Sequence, residues 1–196
     1  MASLYDKIGA TYGSRRQSDP RIAAAIESAV AGCNSILNVG AGTGSYEPAS
    51  ALVIAVEPSL TMISQRASSA APVVQARAEA LPFPNRSLDA VLGILTVYHW
   101  KDQAKGLSEC ARVARRKVVL LTNDFDVCEK FWLFDYFPQL ISSDRSLFPS
   151  PARIARMLGP QRLAMSTLNS PVWRVTLPPA HGNGGTEACL IAKSWI

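Results

Sequence analysis

Hydrophobic positions along the chain follow two rhythms. Five short runs are continuously apolar: Ile36–Val39, Leu52–Val56, Pro72–Gln75, Leu88–Ile94 and Lys117–Thr122. Continuous rather than alternating apolarity marks strands covered on both faces. Between most of these runs the spacing is helical. Asp19 and Pro20 suit an N-cap and a first helical position. In the segment that follows, Ile22, Ile26 and Val30 recur every fourth residue, and Gly32 ends it. Segments 59–68 and 102–115 open on Ser59 and Asp102, residue types whose side-chain oxygens accept from helix amides. On the second segment Leu107, Ala111 and Ala114 form an apolar stripe, while Lys105, Glu109, Arg112 and Arg116 share another face. Strand–helix alternation predicts an α/β fold: a Rossmann-like, doubly wound, mostly parallel sheet with helices on both faces.

The C-terminal third is less regular. Residues 150–159 (SPARIARMLG) read as a capped helix ending at Gly159. RLAMSTL and EACLIAKSW follow as a final pair of strands, the last expected to run antiparallel, with the proline- and glycine-rich 177–186 as the turn between them or a loop. Without repeats or a low-complexity linker, the 196 residues read as one domain. It carries an N-terminal helical segment (about 1–32) and an aromatic-rich insertion after the fifth strand (about 125–149).

Bulk properties narrow the class. The longest apolar runs fall short of a membrane span, and MASLYDKIGA lacks a basic region followed by an apolar one. Cys33, Cys110, Cys128 and Cys189 lie far apart with no C-x-x-C pair, against both a zinc site and a disulfide framework. A reduced, cytoplasmic protein is the expectation. The net charge of +5 raises nucleic acid as a partner, but the cations are scattered. Their one cluster, Arg112, Arg115, Arg116 and Lys117, closes the 102–115 helix, where cations complement the dipole. Nucleic acid is therefore not expected.

The candidate chemistry begins at ILNVGAGTGSYE, where a strand runs into Gly40, Gly42 and Gly44. In sheets of this kind ligands bind beyond the carboxyl ends of the strands, where the strand order reverses. Ser45 stands where a dinucleotide fingerprint has its third glycine, and no lysine follows Gly44 as a Walker loop requires. The loop alone leaves open a phosphate, a nucleoside with an amino-acid tail, or the next turn of the chain. Seventeen residues after Gly40, Glu57 ends the second strand, where its carboxylate can accept from both hydroxyls of a ribose. After the third strand, ARAEALPF places Glu79 beside the same pocket, where it can accept from an adenine amino group. The fourth strand ends in LGILTVYHW and delivers Tyr98, His99 and Trp100 to the rim.

Together these four features resemble the class I S-adenosylmethionine-dependent methyltransferases, and within them the group related to quinone-biosynthesis methyltransferases. The resemblance runs from YDKIGATYGSRR to LTNDFD, about two thirds of the chain. It implies S-adenosyl-L-methionine as cofactor, released as S-adenosyl-L-homocysteine. Carried over by position, it places Gly40, Ala41 and Gly42 beneath the methionyl part and lets Gly44 serve helix packing. Glu57 holds the ribose, Pro58 and Met62 flank the adenine, and Ala78 and Glu79 read its edge. Leu95 offers a carbonyl near the cofactor's amino group. Tyr12 and Arg16, with Arg15 equally placed, help close the pocket.

Methyl transfer from a sulfonium is an in-line displacement, so the protein mainly aligns the partners and excludes water. An oxygen nucleophile also needs a base. His99 at the rim is the candidate, the alternative being that it caps a backbone carbonyl while Trp100 packs. LTVYHW lacks the [DNS]-P-P-[YFW] signature of nucleic-acid amine methylation. The 93–96 strand end lacks the aspartate of metal-assisted catechol methylation, and Asn123, Asp124 and Asp126 do not make a magnesium site. No metal is implied. Seven of the fifteen aromatic residues fall between Phe125 and Phe148. Most suit core packing, but their place after the fifth strand points to a small, apolar or aromatic acceptor. The tail GNGGTEACLIAKSWI matches the family poorly. An S-adenosylmethionine-binding protein without transfer, acting as a scaffold or regulatory partner, is therefore the alternative to a small-molecule methyltransferase. A nicotinamide dehydrogenase is a distant third.

Overall fold

Four of the five apolar runs feed two hydrophobic layers, because successive strand side chains point to opposite faces; the third, Pro72–Gln75, does not, being a sheet edge where Val74 is exposed. In β1 (Ser35–Val39) Ile36 joins one layer and Leu37 the other; in β5 (Ala114–Asn123) Val118 and Leu120 face one way, Val119 and Leu121 the other. All six of these side chains are buried. One layer packs beneath α1 (Pro20–Ala29) through Ile22, Ile26 and Val30. The other packs beneath α3 (Gln103–Val113) and α4 (Pro151–Leu158) through Leu107, Cys110 and Ile154. This computed structural model describes Asp6, residues 18–123, Tyr136, and residues 147–158, 162–167, 173–177 and 186–193.

Among the described residues the sheet has eight strands, numbered in chain order and arranged β3-β2-β1-β4-β5-β8-β6-β7. β1 pairs in parallel with β2 (Leu52–Val56) on one side and β4 (Leu88–Ile94) on the other. The chain winds outward through β2 to the two-residue β3 (Val73–Val74), then returns across β1 to β4 and β5. The reversal falls at β1, and its carboxyl end opens the crevice where ligands bind in such sheets.

The end of the sheet differs from expectation. Three strands follow α4, not two: β6 (Arg162–Thr167), β7 (Trp173–Leu177) and β8 (Thr186–Lys193). The last strand is parallel, with Lys117 opposite Glu187 and Asn123 opposite Lys193 on β5. The antiparallel strand is β7, the one before it. β7 takes up the change of direction, which turns β8 back into line with β5.

The helices form where their caps stand. Asp19 Oδ1 accepts from Arg21 N at 2.9 Å, Ser59 Oγ from Met62 N at 3.3 Å, and Asp102 Oδ1 from Lys105 N at 2.9 Å. α2 (Leu60–Ile63) is far shorter than 59–68. Its end tightens into i to i+3 bonds, Gln65 N to Met62 O and Arg66 N to Ile63 O, and Arg66 turns under the glycine loop. On α3 the buried side is Leu107, Glu109, Cys110 and Val113; of the expected stripe, Leu107 and Ala114 are buried in the same core and Ala111 packs against it, though Ala114 already starts β5. Glu109 is buried because its carboxylate is satisfied there: Oε2 accepts from Leu81 N at 3.1 Å and Arg112 Nη2 at 2.8 Å.

The cationic cluster also differs. Only Arg112 belongs to the last turn of α3; Arg115, Arg116 and Lys117 lie on β5. Arg115 Nη1 donates to Asp89 Oδ1 at 2.7 Å. Lys117 Nζ donates to Ala29 O and Ala31 O at 3.2 and 3.1 Å, and the Arg116 guanidinium donates to Gly32 O. Arg112 thus complements the carboxyl end of α3 as expected, while Arg116 and Lys117 complement that of α1 and Arg115 serves Asp89.

Candidate functional site

A cavity of about 450 Å³ opens at the carboxyl ends of β1, β2 and β4. Its floor is the glycine loop, four of whose amides are occupied by its own chain. Gly40 N and Ala41 N both donate to Val56 O, at 2.8 and 3.0 Å, and Gly44 N donates to Ala41 O at 3.0 Å. Gly42 N donates to Glu57 Oε2 at 2.9 Å. A phosphate cradle needs amides free to point at the ligand, and these four are taken.

The glycines serve different ends. Gly40, at φ +68°, lies against Thr96, and a Cβ there would stand 1.9 Å from Thr96 Oγ1. What comes close to Gly40 is therefore the chain itself. Gly42, at φ +53°, lines the cavity, and a Cβ would meet only Met62 Cε, at 3.3 Å. Gly44 does not line the cavity; it packs over Ala70, Glu47 and Arg66.

Beneath the loop is an ion pair absent from the sequence reading. Arg66 Nη2 donates to Glu47 Oε1 at 2.6 Å with both side chains nearly buried. The same guanidinium donates to Gly42 O at 3.1 Å and Ala71 O at 2.9 Å, and Glu47 Oε2 accepts from Ala71 N at 2.9 Å. Gly42 is thus held through its N–H by Glu57 and through its carbonyl by Arg66. Asn38, buried on β1 and lining the cavity, reaches Glu47 through Nδ2 at 3.5 Å, while its Oδ1 has no protein partner.

Glu57 is buried at the end of β2. Its Oε1 accepts from Ser59 N at 2.9 Å, so each carboxylate oxygen holds one amide and retains a lone pair. Desolvation raises its pKa above the ordinary glutamate value, against the lowering effect of the two amides and Arg66. Asp6 also contributes to the rise: its Oδ1 accepts from Ser59 Oγ at 2.6 Å, two residues from Glu57. Tyr12, Arg15 and Arg16 lie outside the described residues.

Pro58, Met62, Ala78, Glu79 and Leu95 line the same cavity. Glu79 Oε1 accepts from Lys101 N at 2.8 Å and Asp102 N at 3.2 Å, which joins the loop after β3 to the start of α3. Arg112 secures that loop from behind, donating to Phe83 O at 2.8 Å, Leu81 O at 3.0 Å and Asn85 Oδ1 at 2.9 Å. Its guanidinium holds the Glu109 carboxyl down to a pKa of about 2. Two non-glycine residues on the cavity wall are left-handed, Tyr46 at φ 64° and Leu95 at φ 50°, a strain of about 1 kcal/mol each. Tyr46 OH accepts from Asp19 N at 2.9 Å, tying the loop to the cap of α1.

The rim after β4 is aromatic. A 3₁₀ turn over Val97–His99 presents Tyr98, whose ring centroid lies 3.9 Å from that of His99 and 4.0 Å from that of Phe148. Partial burial lowers the His99 pKa, which favours the neutral ring. Trp100 packs: its indole N–H donates to Thr96 Oγ1 at 3.2 Å, and its ring occupies the space a Cβ of Gly106 would need. Of the aromatic-rich segment 125–149, Tyr136 is exposed and Phe148 lines the cavity. Phe125, Phe131, Trp132, Phe134 and Phe137, like Asp124 and Asp126, lie outside the described residues.

The site thus unites Gly40, Ala41, Gly42, Glu57, Pro58, Met62, Ala78, Glu79, Leu95 and His99 on one cavity, and leaves Gly44 behind it. Asn38, Tyr46, Arg77, Thr96, Tyr98 and Phe148 join them.

This architecture is the class I S-adenosylmethionine-dependent methyltransferase fold. Residues 37–122 match the methyltransferase domain family. Among solved structures, a protein of Anabaena variabilis described as a methyltransferase from an antibiotic biosynthesis pathway is 31% identical. The alignment covers 75% of this chain and 66% of that one, at a TM-score of 0.62. A protein of Thermotoga maritima described as an S-adenosylmethionine-dependent methyltransferase shares the fold at 16% identity, covering 93% of this chain and 90% of that one, with a TM-score of 0.62. A third, from Methanococcus maripaludis, shares it at 14% identity over 90% of this chain and 85% of that one, with a TM-score of 0.55. No curated protein matches the chain. Among the described residues no helix is long and apolar enough to cross a membrane.

Proposed function

We propose that this chain is one methyltransferase domain that transfers a methyl group from S-adenosyl-L-methionine to a small, apolar or aromatic acceptor. The observation that carries the reading is a single cavity walled by a glycine loop whose Gly40, Ala41 and Gly42 amides are bonded within the chain, a buried carboxylate at the end of β2 and a second carboxylate after β3. The residues present fit the cofactor. A Cβ at Gly42 would fill the floor, the Asn38 Oδ1 acceptor lies buried without a partner, and the Glu57 oxygens keep lone pairs for two hydroxyls.

On this reading Gly40, Ala41 and Gly42 carry the methionyl part, Leu95 presents its carbonyl to the amino group, and Asn38 adds a second acceptor. Glu57 accepts from the ribose. Pro58 and Met62 bound the adenine, and Ala78 and the remaining oxygen of Glu79 meet its edge. Tyr12 and Arg16 close the pocket from the N-terminal segment. When bound, the cofactor supplies a methyl group already activated by its sulfonium. The protein's own contribution is alignment and exclusion of water. Tyr98 and Phe148 receive the acceptor's flat, apolar body. His99, kept neutral by partial burial, takes the acceptor's proton on its unprotonated ring nitrogen.

Calorimetric titration with S-adenosylmethionine and S-adenosylhomocysteine tests the reading. Saturable binding of both, lost in Glu57→Ala, is expected; absence of binding overturns it. Methyl release with cell extract as acceptor then separates an enzyme from a protein that only binds the cofactor.

A further inference from the structure

A second cavity, of about 890 Å³, adjoins the first and shares Arg77, Glu79, Trp100 and Lys101 with it. One segment walls both: Leu147 and Phe148 face the first cavity, and Arg153 and Met157 of α4 face the second. Gln103 closes the join, with Nε2 donating to Leu147 O at 3.4 Å.

The second cavity differs in charge from the aromatic mouth beside it. Arg77, Lys101, Lys105 and Arg153 line it, Lys105 with its Nζ also 3.5 Å from Glu109 Oε1, against two carboxylates, Glu79 and Asp102. Both carboxylates already accept backbone amides, Glu79 from Lys101 N and Asp102 N, and Asp102 from Lys105 N. The amino end of α3 adds a partial positive charge of the same sign. On a convex surface such cations are simply solvated. In a cleft walled partly by Trp100 and Met157 their field is concentrated on what enters.

We propose that the second cavity is an anion subsite, and that the molecule bound across the two cavities has an aromatic body at Tyr98 and Phe148 and a carboxylate or phosphate group held by Lys101, Lys105 and Arg153. This rests on the methyltransferase reading only in naming that molecule the methyl acceptor.

The test uses probes that differ only in the acidic group: 4-hydroxybenzoate against 4-hydroxybenzamide, and phenyl phosphate against phenol. Each is titrated by ligand-observed NMR into the full chain, with and without S-adenosylhomocysteine. The acid is expected to bind roughly tenfold tighter than its neutral partner, the effect of one charge-assisted hydrogen bond, and to weaken with added salt. The preference should vanish in Lys105→Glu/Arg153→Glu, two exposed positions, and shrink in Arg153→Gln, while S-adenosylhomocysteine affinity stays unchanged in all of them and the melting temperature stays unchanged in Arg153→Gln, the double variant also losing the Lys105–Glu109 ion pair. Preference for the carboxylate or the phosphate identifies the group. Equal binding of acid and neutral probe, binding of neither, or a preference that survives the double variant overturns the proposal. Failure of S-adenosylhomocysteine to bind overturns the methyltransferase reading separately, since the probe comparison on the ligand-free chain still decides this one.

Discussion

The two halves of the cavity are built by different physics. The half around the glycine loop is wired by charge-assisted hydrogen bonds: Glu57 to Gly42 and Ser59, Arg66 to Gly42, Glu47 and Ala71, Glu79 to Lys101 and Asp102. The half around β4 is made of rings in contact, Tyr98 with His99 and Phe148. Directional bonds hold one geometry, while ring contacts tolerate sliding and replacement. A shared cofactor suits the first kind of wall, and an acceptor that varies from one protein to the next suits the second.

The sharpest way to break this contrast is at the glycines. Gly42→Trp fills the floor and is expected to abolish S-adenosylhomocysteine binding by calorimetry while far-ultraviolet circular dichroism stays native. Gly40→Ala instead drives a Cβ into Thr96 and is expected to fail as a fold, with loss of soluble, cooperative protein. Next is Arg66→Met, which leaves Glu47 buried without its partner. A loss of about 3 kcal/mol in chemical denaturation is expected, together with weaker cofactor binding because Gly42 O is released. Smaller is Glu109→Gln. The folded carboxyl titrates at about 2, below its ordinary 4.5, so it adds stability that is fully present above pH 4.5 and is lost as pH falls toward 2. The variant should be less stable than the parent at pH 7, with the gap closing by pH 2 in urea melts.

On the aromatic side, His99→Gln is expected to lower kcat by about 100-fold and leave S-adenosylhomocysteine affinity unchanged. In the parent, kcat should fall only below pH 6.5, because the lowered pKa keeps the ring neutral above it. That acid limb should disappear in the variant. Smallest is Phe148→Ala, expected to raise the acceptor KM several-fold, with cofactor binding untouched. If Phe148→Ala weakens the cofactor as much as Arg66→Met does, the division between the two walls is wrong.

How much of this was legible in the chain depended on range. β1, β2 and β4 were readable because their apolar runs are local, and the three helix caps because each cap bonds two or three residues ahead. The roles of Gly40, Glu47 and Arg66 were not readable. Gly40 is required by Thr96, 56 residues on, and Arg66 serves a carboxylate 19 residues back. Nothing near either position signals this. The buried side of Glu109 was concealed in part for the same reason: Arg112 lies only three residues on, but the amide of Leu81 that completes its bonding is 28 residues back. Trp173–Leu177 was missed as a strand because it is short and follows a serine–proline pair, and the direction of β8 was lost with it. At Tyr98 the motif indicated a rim position, but only the fold shows Phe148 beside it.

The bonds from β5 to the end of α1 also set an order of events during synthesis. The carbonyls of Ala29, Ala31 and Gly32 receive their donors from Lys117 and Arg116, more than 80 residues later. As the chain leaves the ribosome, α1 exists for several seconds before those donors emerge, at about 5–20 residues per second. Through that interval its aspartate cap and Glu27, which accepts from Ala49 N and Ser50 Oγ, can hold it, but its last carbonyls lack their donors. The carboxyl end of this early helix is thus among the last parts of the molecule to be locked, and a ribosome pause before residue 116 would lengthen the time that end stays frayed.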